Sequence, residues 1–299
     1  MNILLAMIPA FFWGTTYAVS QLTLPDWPPL FLGAIRALPA GIILLMFKPK
    51  LPRAHEWGRL LVLGTINIAA FFCMIFIMAN NLPSAISSVG MVTVPVFAII
   101  MTYCVYRVKP GKTQLLASVI IVTSTWFLFD PSKVSLSVVG IVAMLVAILC
   151  LLIGSMMTKF LANKMDWKTV LAWQLIIGGF LLSFVSVGDY FLHPEQYNAL
   201  INHIEMKNLL GIVWIVIINT VIAYGLYVWL LQRMSVVDIT FGSIANPIAG
   251  ILAGSILMHE SFTPFQYLLM LIMIIASMLP QMVAKLTRHV VKVKQAVKP

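Results

Sequence analysis

The chain has 299 residues, of which 61% are hydrophobic and 9% charged, with a formal net charge of +10 and a mean hydropathy of +1.01. A soluble domain of this length needs roughly a quarter of its residues charged to cover its surface, so this composition excludes one and places most of the surface against lipid. The basic excess does not mark nucleic-acid binding, because nearly all Lys and Arg fall in short gaps between apolar runs.

Spans of about 18 to 24 residues predict ten transmembrane helices, near residues 3–22, 29–47, 59–80, 84–106, 113–129, 136–158, 169–191, 208–231, 235–257 and 265–285. The opening MNILLAMIPAFFWG has no Lys or Arg ahead of its apolar run, which continues to Leu24, a pattern unlike a cleavable signal peptide. The linkers at 25–29, 80–83 and 232–235 leave room only for tight reversals, whereas the polar stretch around 193–207 has room for a short surface helix. Cys73, Cys104 and Cys150 all lie within apolar runs and read as packing residues, not disulfides or metal ligands. With the N-terminus inside, sixteen Lys and Arg fall on the cytoplasmic side, two (Lys133 and Lys207) fall outside, and Arg36 lies within a helix. This bias predicts that both termini are cytoplasmic.

The stretch PSAISSVGMVTVPVFAIIMTYCVYR carries Gly90 and Pro95 near its middle, and 152 residues later SVVDITFGSIANPIAGILAGSILMHE carries Gly242 and Pro247 in the same places. At that offset Asn67 matches Asn219 and Gln114 matches Gln266. A proline deep in a membrane helix lacks an N–H and clashes one turn back, so Pro95 and Pro247 are expected to bend helices 4 and 9, with Gly90 and Gly242 as the adjoining gating positions. Such breaks belong in the protein interior or beside a water-filled cavity. The expected organisation is a first repeat at 1–130 (helices 1–5), a second at 136–285 (helices 6–10) and a basic tail at 286–299. Five helices is an odd number, so the repeats run in opposite directions through the membrane. Substrate would then bind where they meet at mid-depth.

Trp13-Gly14 in helix 1, Arg36 in helix 2, Pro95 and Pro247 in helices 4 and 9, and Glu260 with Gln266 entering helix 10 resemble the EamA family of the drug/metabolite transporter superfamily. The resemblance covers essentially the whole chain. It implies a multi-pass permease of the bacterial inner membrane, often an exporter of amino acids and other small metabolites, with helices 1, 3, 4, 6, 8 and 9 around a central cavity. The chain departs from the pattern at Val108, which stands in the first half where Glu260 stands in the second. That puts in doubt a mechanism needing a symmetric pair of carboxylates.

Arg36 is too deep in helix 2 to be a loop charge, and reads either as an anion contact or gate, or as a buried tie to carbonyls at helix ends. Asp238, about one turn into helix 9, reads as a proton-coupling site or as an acidic residue favoured at a helix start. Asn67 and Asn219 either line the cavity or tie helices together. Ser88 and Met91 share a face with Pro95, and Ser243 and Asn246 flank Pro247, which makes them cavity candidates. Trp13, Thr16 and Tyr17 share a face of helix 1, as do Tyr224 and Tyr227 of helix 8. Aromatic side chains with one polar atom suit an amphipathic organic substrate. Gly250 and Gly254 form a GxxxG, which allows close helix approach within one chain or between two.

The function expected is a secondary carrier moving small organic metabolites by alternating access, most plainly an exporter of amino acids or related compounds. A drug, vitamin or nucleotide-sugar permease of the same fold is the alternative, and an intramembrane enzyme the reading from another class. No HExxH, GxSxG or paired aspartates at helix ends support an enzyme, nor does a filter-like loop support an ion channel. No nucleotide-binding motif, cofactor site or metal site is predicted. The expected partners are a small-molecule substrate and membrane lipids, the latter touched by the basic tail, with the chain a monomer or weak homodimer.

Overall fold

The computed structural model describes residues 3–47, 50–128, 137–162, 164–202 and 204–296, and among these every regular element is helical. We number the long helices α1 (Ile3–Thr23), α2 (Pro29–Met46), α3 (Ala54–Asn81), α4 (84–106), α5 (Lys112–Leu128), α6 (Val138–Ala162), α7 (Trp167–Leu192), α8 (Met206–Leu231), α9 (236–257) and α10 (Pro264–Ala296). Six of them are long and apolar enough to cross a membrane: α2, α3, α4 from Ile86, α6 as far as Leu161, α7 and α8. Lys112–Leu128, Ala245–Leu257 and Pro264–Pro280 are shorter apolar stretches. The outer surface carries large apolar side chains such as Trp126, Phe180 and Phe184, the last 80% exposed. Water would penalise such a surface and hydrocarbon does not, so the chain is a multi-pass membrane protein.

The polar linker after α7 forms the short helix Pro194–Asn202. It is pinned by Tyr197, whose hydroxyl donates to Asp189 Oδ2 at 2.7 Å and meets Ser186 Oγ at 3.1 Å. Burial, followed by the neighbouring Asp189, pushes this phenol up to about 12. α10 continues through Ala296 and so takes up most of the segment expected as a separate basic tail. Residues 297–299 lie outside the described residues.

The helices expected to bend at Pro95 and Pro247 are interrupted just before each proline. α4 stops at Gly90, makes one tight 3-10 turn over Met91–Thr93 and restarts at Val94. α9 stops at Gly242 and restarts at Ala245. Each proline is therefore in the first turn of the second segment, where a missing N–H costs nothing because first-turn N–H groups have no intrahelical partner. The Thr93 hydroxyl donates to the Gly90 carbonyl at 2.7 Å, supplying a bond the break would have lost.

Features recur at the 152-residue offset. α3 widens into a π-helical stretch at Gly64–Ala70 around Asn67, and α8 does so at Trp214–Ile222 around Asn219. Arg107 (φ 55°) and His259 (φ 53°) turn the chain out of α4 and α9. Gln114 Oε1 then accepts from Gly111 N–H at 2.9 Å, and Gln266 Oε1 accepts from Thr263 N–H at 2.8 Å, capping α5 and α10 alike.

Small residues set the closest helix contacts, as expected where lipid provides no hydrophobic drive between helices. α2 packs along α7, α1 along α9, α3 along α6 and α5 along α10. A Cβ on Gly14 of α1 would lie 2.1 Å from the Asn246 carbonyl oxygen of α9. Both GxxxG glycines are used within the chain: Gly250 leaves room for Ser88 Oγ, and Gly254 for the Glu260 carboxylate and Ser84 Oγ.

Gly14→Ala should therefore force α1 off α9 backbone and lower stability by about 1–3 kcal/mol. Gly58→Ala, at a helical position with nothing within 4 Å, should be neutral or stabilising by up to about 1 kcal/mol. Thermal unfolding in detergent checks the pair, and equal midpoints would contradict the contact.

Candidate functional site

The site forms around one face of α1. Trp13, Thr16 and Tyr17 follow helical spacing and so point the same way. Trp13 Nε1 donates to the Asn219 carbonyl at 2.9 Å, and Thr16 Oγ1 accepts from Asn219 Nδ2 at 2.8 Å. Asn219 thus fastens the widened stretch of α8 to α1 through both its backbone and its side chain. Its counterpart Asn67 works from α3: Nδ2 donates to Gln174 Oε1 of α7 at 2.8 Å and to the Tyr224 hydroxyl of α8. Asn67 also needs Gly154 of α6, where a Cβ would lie 2.0 Å from Asn67 Oδ1. The amides expected either to line the cavity or to tie helices together are ties.

Arg36 enters from α2 and is only 4% exposed. Its Nε donates to Thr220 Oγ1 at 3.0 Å, and its guanidinium carbon lies 4.1 Å from the centre of the Phe72 ring. The Thr220 hydroxyl has given its own hydrogen to the Ile215 carbonyl at 2.8 Å, which leaves oxygen lone pairs for Arg36. The expected tie to helix-end carbonyls is not what forms, since both contacts are to side chains. Trp13, Tyr224 and Tyr227 form one aromatic cluster, with Trp13 centred 5.6 Å from Tyr224 and 4.9 Å from Tyr227. The Tyr227 hydroxyl meets Ser155 Oγ of α6 at 2.7 Å.

Between these groups lies a small cavity of about 20 Å³ lined by Trp13, Thr16, Tyr17, Arg36, Met91 and Asn246, together with Phe71, Ile75 and Leu151. That volume holds about one water molecule. The family pattern had left helix 2 out of the cavity wall, but Arg36 of α2 is part of it. A larger cavity of about 430 Å³ opens between the later halves of α4 and α6, lined by Met101, Val105, Tyr106, Met156 and Phe160 among others, with Arg59 at its edge.

Other expected residues lie elsewhere. Ser88 is buried in the contact of α4 with α9, facing Gly250. Gly90 packs on Met144 sulfur, Ser243 is half-buried in the break of α9, and Gly242 lies against Ala6. The side chain of Asp238 is outside the described residues. Glu260 sits at the far end from the larger cavity, where Oε1 accepts from both the N–H (3.0 Å) and the Oγ (2.7 Å) of Ser84, the first residue of α4. Pro83 precedes that helix and has no side-chain acceptor to cap it, so the carboxylate caps it from the α9–α10 linker.

Gln174, Thr220 and Ser155 were not singled out by sequence reasoning. Gln174 had a signal, an amide inside the apolar run of α7. Thr220 and Ser155 had none, because their roles depend on partners in other helices.

The chain matches the family model described as the EamA-like transporter family over residues 1–130 and 138–280. It is 30% identical over 258 residues to Protein PecM of Dickeya dadantii (strain 3937), covering 85% of this chain and 83% of that protein. It is 24% identical to the uncharacterized inner membrane transporter YedA of Escherichia coli (strain K12), over 89% of this chain and 86% of that one. A probable amino-acid metabolite efflux pump of the same strain is 22% identical, over 88% and 89% of the two chains. A solved crystal structure superposes with a TM-score of 0.69 at 13% identity, covering 94% of this chain and 98% of the other, which extends the likeness to the fold.

Removing the Glu260 carboxylate leaves the first turn of α4 uncapped, so Glu260→Ala should cost about 1–2 kcal/mol. Ser84→Ala should cost less, because the backbone N–H still donates. Unfolding midpoints of both variants test this, and an unchanged midpoint for Glu260→Ala would show that the clasp contributes nothing.

Proposed function

The chain belongs to the EamA-like transporter family, and on that premise we propose that it is a secondary carrier exporting amino acids or related small metabolites by alternating access. The observation that carries this reading is the small cavity where α1, α2, α3, α4, α6 and α9 converge, with aromatic, hydroxyl, amide and guanidinium groups on its walls. A lipid-facing or purely structural core has no need of that mixture, whereas a site for a small amphipathic molecule does.

The reading includes ten membrane passes, two inverted five-helix repeats at 1–130 and 136–285, and both termini in the cytoplasm. The breaks at Gly90 and Gly242, the paired π-helical stretches and the paired left-handed caps support the repeats. The distribution of Lys and Arg supports the orientation. In that orientation the larger cavity between α4 and α6 faces the cytoplasm, and the Glu260–Ser84 clasp lies on the outer side. Export is supported by this arrangement and by the likeness to an amino-acid metabolite efflux pump. A nucleotide sugar fits less well, because a diphosphate calls for several cationic groups and the small cavity offers one guanidinium.

Counterflow in proteoliposomes, screening labelled aromatic, aliphatic and small polar amino acids with and without a pH gradient, tests the proposal. Saturable, competed exchange of one class is the expected result, and Trp13→Ala should lower it at least tenfold while the protein stays folded. No exchange of any amino acid by folded protein would overturn the amino-acid reading. A dependence on the gradient would direct attention to Asp238.

A further inference from the structure

Arg36 is a buried cation with no carboxylate beside it among the described residues. Among the described residues its contacts are the Thr220 hydroxyl and the Phe72 ring, both neutral groups. A buried guanidinium is normally compensated by a carboxylate, and an uncompensated one is costly to keep in hydrocarbon. Among the described residues Nε is the guanidinium nitrogen that is hydrogen-bonded, and the terminal nitrogens of the fork show no partner. The residue lines the small cavity, so those donors border the space a ligand would occupy.

The rest of that wall narrows the chemistry. Asn246 lines the same cavity beside Tyr17, and its Oδ1 is buried without a hydrogen-bond partner. Trp13, Phe71, Ile75 and Met91 supply aromatic and aliphatic surface. We propose that Arg36 is the anion-recognising residue of the transport site, and that the substrate is a small organic carboxylate with one further hydrogen-bonding group and an apolar or aromatic body. Planar, two-point recognition of a carboxylate is what a guanidinium fork does best. The carboxylate supplies the missing counter-charge, the amide of Asn246 takes the second polar group, and the ring of Trp13 covers the body. This deepens the carrier reading and rests on it.

The test compares each carboxylate with its own amide on purified wild-type protein in nanodiscs. The probe pairs are 3-phenylpropanoate with 3-phenylpropanamide and phenylalanine with phenylalaninamide, read by isothermal titration and by the rise in unfolding midpoint that any ligand of the native state produces. At least tenfold tighter binding of the acid is expected in one pair or both. Arg36→Gln should abolish the preference and Arg36→Lys should keep part of it. Asn246→Ala should weaken phenylalanine more than 3-phenylpropanoate. Equal binding of acid and amide, no binding of either acid, or an undiminished preference in folded Arg36→Gln would each overturn the proposal. If Arg36→Gln does not fold, the acid–amide contrast on the wild type still decides. Counterflow separates this from the carrier reading. Exchange of amides as fast as acids removes the carboxylate and keeps the carrier, whereas Arg36-dependent binding without exchange keeps the carboxylate site and removes the carrier.

Discussion

Hydrocarbon accepts no hydrogen bonds, and the interior of this molecule is arranged by that fact. Asn67, Asn219, Thr16, Thr220, Gln174, Tyr224 and Arg36 are all buried, and each is hydrogen-bonded to a partner on another helix. Any of them turned towards lipid would leave a polar group unpaired at a cost of several kcal/mol. The polar side chains therefore fix how α1, α2, α3, α7 and α8 rotate about their own axes. Apolar side chains alone could not, because a leucine facing lipid is nearly as stable as one facing another helix. The π-helical widenings at Asn67 and Asn219 fit this picture, since each alters the helix face presented just where an amide must reach a neighbour.

The same arrangement is unequal between the halves. At one end of α4, Glu260 closes α9 onto Ser84, and Gly14 brings α1 against the Asn246 carbonyl of α9. At the other end, α4 and α6 part to leave about 430 Å³. The residues equivalent to Glu260 and Ser84 at the 152-residue offset are Val108 and Val236, which cannot form a charged clasp. The Glu260–Ser84 hydrogen bonds hold one end, and Val108 and Val236 cannot repeat them at the other.

Much of this was legible in the sequence because the bilayer imposes length and periodicity. Helix positions followed from run lengths, and the matched breaks at Gly90 and Gly242 from one internal comparison. Trp13, Thr16, Tyr17, Met91 and Asn246 reached the cavity wall because one face of a helix is fixed by spacing. What the sequence could not show was pairing across helices. Asn67 looks the same whether it faces a cavity or Gln174, which is 107 residues away. Arg36 was visible as a deep charge, but whether it met a carbonyl, a carboxylate or a hydroxyl depended on how α2 and α8 lie together. The prolines misled for a local reason: the sequence gives their depth in the span, yet not whether the helix has already stopped one turn before them.

That last point bears on how the site could move. A proline inside an unbroken helix fixes a bend, whereas a proline just after a break starts a new helix and leaves the joint to the residues before it. In α4 the joint is Met91–Thr93 and in α9 it is 243–244. Met91 and Asn246, at or just beyond those joints, both line the small cavity. The irregular backbone thus borders the cavity, the place where a membrane protein tolerates it. The segments on the far side of each joint are Val94–Tyr106 and Ala245–Leu257. The first borders the larger cavity and the second leads to the Glu260 clasp. Met91 and Asn246 thus stand between the small cavity and the helical segments that lead to the two ends of the molecule.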